Sequence, residues 1–84
     1  MTKVLMYALS TCPWCAKAKK FFADNNVPYD CTDYDMVDEA EQERIMDDMV
    51  NHGGSGSFPY VRIGEDVVVG WNPEKYAELL GLDG

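Results

Sequence analysis

Lys3-Val-Leu-Met-Tyr-Ala-Leu-Ser-Thr-Cys-Pro-Trp-Cys15 is the stretch on which the fold turns. Residues 3–9 form a nearly continuous apolar block of strand length, the pattern of a strand covered on both faces. Ser10-Thr11-Cys12-Pro13 then reads as a helix start. Thr11 or Cys12 can occupy the cap, and Pro13 suits the first helical position, where a missing N–H leaves no bond unmade. Beyond it Cys15, Ala18 and Phe22 recur at helical spacing, with Phe21 beside them, so one face of the helix carries them.

Outward from this stretch the signals alternate. Asn25-Asn26 is a plausible helix stop, and Pro28 cannot continue a helix. Tyr29 to Asp33 reads as a second short strand. Asp38-x-x-Glu41 has capping-box spacing, and Ile45, Met46, Met49 and Val50 form the apolar stripe of a second helix running to about His52. Gly53-Gly-Ser-Gly-Ser57 is a flexible connector, not a phosphate loop, because it lacks the Lys-Ser/Thr pair and leads into a strand. Tyr60–Ile63 and Val67–Val69, joined through Gly64-Glu65-Asp66, read as a β-hairpin. Asn72-Pro73 repeats the cap-then-proline start, and Tyr76, Leu79 and Leu80 give a third amphipathic helix that Gly81 ends. The order is β-α-β-α-β-β-α, an α/β chain expected to form one domain over residues 1–84. A helix between the first two strands makes their pairing parallel and right-handed.

Charge narrows the possible partners. Fifteen acidic residues against seven basic give a net charge of −8 over 84 residues. Such a chain repels a phosphate backbone, so no nucleic-acid partner is expected. Asp30 to Asp48 alone holds nine acidic residues and one arginine, which reads as a solvated helix face or a surface for a basic partner. No apolar run approaches the ~20 residues that span a bilayer. Met1-Thr2-Lys3-Val4 has no signal-peptide pattern. The expectation is therefore a cytoplasmic monomer without membrane contact.

The three cysteines include one Cys-x-x-Cys pair. A cysteine with an ordinary pKa of about 8.5 is mostly protonated at neutral pH, and only the thiolate attacks a disulfide. Placing Cys12 at a helix start aims unpaired N–H groups and the positive end of the dipole at its sulfur. Lys17, Lys19 and Lys20 are expected to make the surroundings locally basic. Cys12 is then the candidate nucleophile. Cys15, one turn in and more buried, would resolve the mixed disulfide. A metal site is the weaker alternative, since Cys12, Cys15, Cys31 and His52 lack a second close pair. Cys31 reads as a small buried hydrophobe, and His52 as a helix-closing residue without chemistry.

Thr11-Cys-Pro-Trp-Cys15 resembles the Cys-Pro-Tyr-Cys site of the glutaredoxin family, with Trp14 in place of tyrosine. Ser57-Phe58-Pro59 resembles that family's Thr-Val-Pro segment, and Val69-Gly70-Trp71-Asn72 falls where a Gly-Gly turn is usual. The resemblance implies a thioredoxin-like fold with a four-stranded mixed sheet flanked by helices, and a cis peptide bond before Pro59 against the cysteine pair. It further implies that Phe58 offers its main chain to a substrate. Thr11, Pro13, Trp14, Ser57, Phe58, Pro59, Gly70, Trp71 and Asn72 become the candidate substrate-binding residues beside a redox-active Cys12–Cys15 disulfide, with no bound cofactor or metal.

Two departures bear on the electron donor. Leu9 stands where glutathione-dependent members carry lysine, and Trp71-Asn72-Pro73 replaces their acidic stretch. The chain therefore looks more like the members reduced by a thioredoxin-type reductase, acting on proteins that contain disulfides. Glutathione as reductant is the alternative, and an iron–sulfur cluster held across a dimer the less favoured one.

Overall fold

The structure, a computed structural model, describes residues 3–53 and 56–82, so Gly54 and Ser55 of the glycine-serine connector lie outside it. The chain runs through β1 (Val4–Ala8), α1 (Pro13–Asp24), β2 (Asp30–Asp33), a 3₁₀ turn (Tyr34–Met36), α2 (Glu39–Asn51), β3 (Tyr60–Ile63), β4 (Asp66–Val69) and α3 (Pro73–Leu80). The strands form one mixed sheet in the order β2-β1-β3-β4. β1 pairs in parallel with β2, Met6 opposite Cys31, and antiparallel with β3, Tyr7 opposite Tyr60. β3 and β4 close the hairpin with Ile63 opposite Asp66. Its two-residue turn places Gly64 at φ +62°, the first-position geometry that matches strand twist and that glycine adopts without steric cost.

The alternation of side chains along β1 divides the core in two. Val4, Met6 and Ala8 face Cys15, Ala18 and Phe22 of α1 and Tyr76 of α3. Leu5 and Tyr7 face the other way, toward Ile45 and Met49 of α2. Helices therefore cover both faces of the sheet, which is why β1 has no polar positions in its sequence. Each face is also pinned by charge. Lys19 of α1 reaches Asp33 of β2 at 3.0 Å. Asp48 of α2 accepts the Tyr7 hydroxyl at 2.5 Å and lies 3.4 Å from the Arg62 guanidinium. Partial burial works against the Asp48 charge, yet these two partners hold its carboxyl below the usual range.

Several details depart from the sequence expectation, among them Asp66, read as part of the hairpin connection, which opens β4. β2 begins at Asp30, one residue late, and the 3₁₀ turn that follows it was not anticipated. Val50 does not share the buried stripe of α2: it is 60% exposed, while Ile45 and Met49 are fully buried. Those two are four residues apart and stack on one line, whereas Val50 lies a further ~100° round the helix and off the sheet. Among the described residues, no helix is long and apolar enough to cross a membrane.

Candidate active site at the start of helix α1

β1 delivers the chain to α1 through a loop fixed at both ends. The Cys12 N–H donates to the Leu9 carbonyl at 3.1 Å, and the Cys12 carbonyl accepts from Ala16 at 3.1 Å. Ser10 is clamped by Asp35, in the turn that follows the neighbouring strand β2; the Asp35 carboxylate accepts its backbone N–H at 2.9 Å and its hydroxyl at 2.5 Å. Cys12 itself is the cap of α1, in extended conformation (φ −84°, ψ 119°), and Pro13 opens the helix. Its Sγ accepts the Cys15 N–H at 3.4 Å. Burial acts to raise the Cys12 thiol, but hydrogen bonds from the Cys15 thiol and from the backbone N–H groups of Cys15 and Trp14 outweigh it, and the pKa lies below the ordinary value.

Cys15 has the opposite environment. It is fully buried, and that burial pushes its thiol up to about 12, aided by its hydrogen bond to Cys12 and by the charge there. A backbone hydrogen bond from Leu9 and, to a smaller extent, the Lys19 charge offset only part of this. The lysines of α1 thus do not act as expected. Lys19 is paired with Asp33, Lys20 with Asp24 at 2.9 Å, and Lys17 lies over the Trp14 ring. Amides and the second thiol, not ammonium groups, set the state of Cys12. All three cysteines are thiols in this structure.

Beyond Trp14 opens a groove of about 420 Å³ lined by Trp14, Phe58, Pro59, Gly70 and Trp71. The Phe58–Pro59 peptide bond is cis, and Pro59 is buried while Phe58 is half-buried. The Phe58 ring packs against Tyr34 of the 3₁₀ turn, centroids 5.4 Å apart. Gly70 stands at φ +92°, where a side chain is disfavoured by backbone conformation although a Cβ would meet nothing within 4 Å. Its N–H donates to the Pro59 carbonyl at 2.8 Å, and its carbonyl accepts the Tyr76 hydroxyl at 2.5 Å. No charged side chain is among the five lining residues.

The structure thus brings five of the candidate residues into one groove and places the others around it. Thr11 and Pro13 are exposed on the approach to α1, and Ser57 is exposed just before Phe58. Asn72 caps α3, its Oδ1 accepting the Lys75 N–H at 3.2 Å, and so belongs to the helix more than to the groove. Cys31 is half-buried on β2 against the α1 core, where burial pushes its thiol up. His52 closes α2, its Nδ1 3.0 Å from Asp48. Among the described residues, no group of three or more His, Cys, Asp and Glu could hold a metal ion. Sequence reading missed Asp35, Tyr34 and Tyr76 as supports of the site. Only Tyr76 carried any local signal, as part of an apolar stripe.

With this geometry in view, the comparisons with known proteins are specific. A sequence model described as Glutaredoxin matches residues 4–68. An uncharacterized glutaredoxin-like 8.6 kDa protein of the rubredoxin operon of Clostridium pasteurianum is 26% identical over 77 residues, 92% of this chain and 96% of that one. Among solved structures, the glutaredoxin of Archaeoglobus fulgidus is 35% identical with a TM-score of 0.87, over 95% of this chain and 87% of the other. Methanoredoxin of Methanosarcina acetivorans is 32% identical with a TM-score of 0.89, over 95% and 85%. Cysteine-capped helix, cis-proline groove and four-stranded mixed sheet therefore stand in a chain that belongs to the glutaredoxin family and has its thioredoxin-like fold.

Proposed function

We propose that the chain is a dithiol–disulfide oxidoreductase that reduces disulfides in proteins through Cys12 and Cys15. The observation that carries the reading is the capping geometry: Sγ of Cys12 accepts an N–H of the first turn at 3.4 Å, one turn from a fully buried second thiol. The Cys12 thiolate attacks one sulfur of the substrate disulfide. A Cys12–substrate S–S bond forms, the substrate S–S bond breaks, and the other substrate sulfur leaves as a thiolate that takes up a proton. Cys15 then loses its proton and attacks Cys12 Sγ. The Cys12–Cys15 disulfide forms and the second substrate thiolate departs, so two electrons have passed to the substrate.

The order of these steps follows from the two thiols. Cys12 ionises first, because hydrogen bonds hold its pKa down, while Cys15 keeps its proton. Once Cys12 is bound in a mixed disulfide its negative charge is gone. Both the charge and the hydrogen bond at Cys12 had helped to keep Cys15 protonated, so the resolving thiol becomes easier to ionise just when it is needed. The groove seats the substrate chain beside the sulfur, with Phe58 offering its main chain. Gly70 contributes shape more than bonding, since its N–H is already taken by Pro59.

Two electrons must return to the Cys12–Cys15 disulfide, and a thioredoxin-type reductase is the donor this reading favours over glutathione. Its support is an uncharged groove lining, Leu9 before the cysteines, and an Asn72 whose side chain is occupied by its helix. A tripeptide with two carboxylates finds little to pair with in such a lining. Trapping a mixed disulfide through Cys12 in a Cys15→Ser chain tests the chemistry, and attachment through another cysteine refutes it. Rapid reduction of the oxidised chain by glutathione alone, with no gain from a reductase, refutes the choice of donor.

A further inference from the structure

The two indoles that flank the groove are held in different ways. Trp71 packs edge-on against Phe21 and Tyr76, with centroids 6.1 and 5.9 Å apart, inside a cluster of core rings. Trp14 is 52% exposed. Among the described residues its ring has no aromatic neighbour; what covers it is the ammonium of Lys17, 4.7 Å from the ring centroid. The two residues are three apart on α1, so their side chains meet on one face. Lys19 and Lys20 are each held by a carboxylate, and α1 has no acidic residue in its first turn to draw Lys17 away. Lys17 does not itself line the groove.

We propose that Lys17 is a positioning residue that sets substrate specificity: its ammonium holds the Trp14 indole as the adjustable wall of the groove, facing the fixed wall formed by Trp71. The groove then favours substrates with a bulky apolar side chain next to their reactive sulfur, because such a side chain can lie between the two indoles. A cation over an indole face is attracted by the ring quadrupole, and removing the charge frees the ring to leave that position. The effect is confined to binding. Cys12 owes its lowered pKa to hydrogen bonds from Cys15 and from the Trp14 amide. This inference rests on the reading of the groove as the place where the substrate chain lies.

The test uses the pre-reduced full-length chain in single turnover with two disulfide-bridged peptides, one with phenylalanine beside its cysteine and one with alanine. Lys17→Gln should raise the half-saturating concentration of the phenylalanine peptide about two- to fivefold, the size of an exposed cation–π contact. The limiting rate and the alanine peptide should be unaffected, and Lys17→Arg should restore wild-type values. In a Trp71→Phe background, acrylamide quenching of Trp14 should rise with Lys17→Gln and not with Lys17→Arg. Unchanged quenching, or an equal loss with both peptides, overturns the inference alone. A wild-type chain that reduces neither peptide overturns the proposed function and this inference with it.

Discussion

Helices α1 and α2 begin with the same backbone problem and solve it with different atoms. In α2 the Asp38 carboxylate accepts the Glu41 N–H at 2.9 Å, and Glu39 and Glu41 add further negative charge in the first turn. In α1 a sulfur occupies the equivalent place, accepting the Cys15 N–H at 3.4 Å, with no acid in the first turn. A carboxylate is charged at any physiological pH, so the donors of α2 are satisfied permanently and the helix gains stability. A thiol is a poor acceptor until it ionises, so the donors of α1 stabilise one protonation state of one atom. Geometry common to both helices serves structure in α2 and reactivity in α1.

The comparison breaks most visibly at the capping atom. Cys12→Ser should lower turnover by at least about a thousandfold, as expected for loss of a covalent nucleophile. The reduced fold should keep or gain stability in denaturant, because serine is a preferred cap. Cys15→Ser leaves the attacking group in place. It should bind about one substrate equivalent per chain and stall, which mass spectrometry of the trapped species checks.

Ionisation sharpens the contrast further. Alkylation of Cys12 by iodoacetamide should show a midpoint below that of an ordinary cysteine. Cys15 and Tyr76 are both raised to about 12 in the folded chain, from 9.0 and 10.0. The unfolded chain gives up these protons first, so their contribution to stability is complete below about pH 9 and is lost as pH rises toward 12. Denaturant midpoints of the reduced chain at pH 8 and pH 11 should record that loss, and Cys15→Ser should shrink it. Cys12 has the opposite sign: its contribution is present above 9 and fades as pH falls through its lowered folded value. The smallest effect belongs to α2. Asp38→Ala should cost about 1 kcal/mol of stability by thermal or chemical melt, with the reaction at Cys12 unaffected.

Much of this was legible in the sequence because it is local. Cys12-Pro13, Asp38-x-x-Glu41, Asn72-Pro73 and Gly81 each act within a turn of their own position, and each occupies the predicted helix end. The apolar blocks of β1 and β3 likewise record burial, whereas in β4 only Val68 of the three valines is buried. What escaped depends on pairs far apart in the chain. Asp35 clamps Ser10 across 25 residues, and Tyr7 meets Asp48 across 41. Five of the nine acidic residues between Asp30 and Asp48 turn out to have partners: Asp33, Asp35, Asp38, Glu41 and Asp48. Part of what reads as a solvated face is therefore a set of fastenings. Of the α1 lysines only Lys19 has a distant partner, Asp33; Lys17 and Lys20 are taken up within a turn by Trp14 and Asp24, so nearby rings and carboxylates, not position relative to Cys12, decide where they point.

Tyr76 gives the last helix a part in shaping the groove beside the cysteine pair. Its hydroxyl grips Gly70, Gly70 grips Pro59, and so two of the residues that line the groove are tethered to α3. A shortened chain ending before α3 would retain both cysteines and the whole sheet, yet Gly70 would lose the hydroxyl that fastens it.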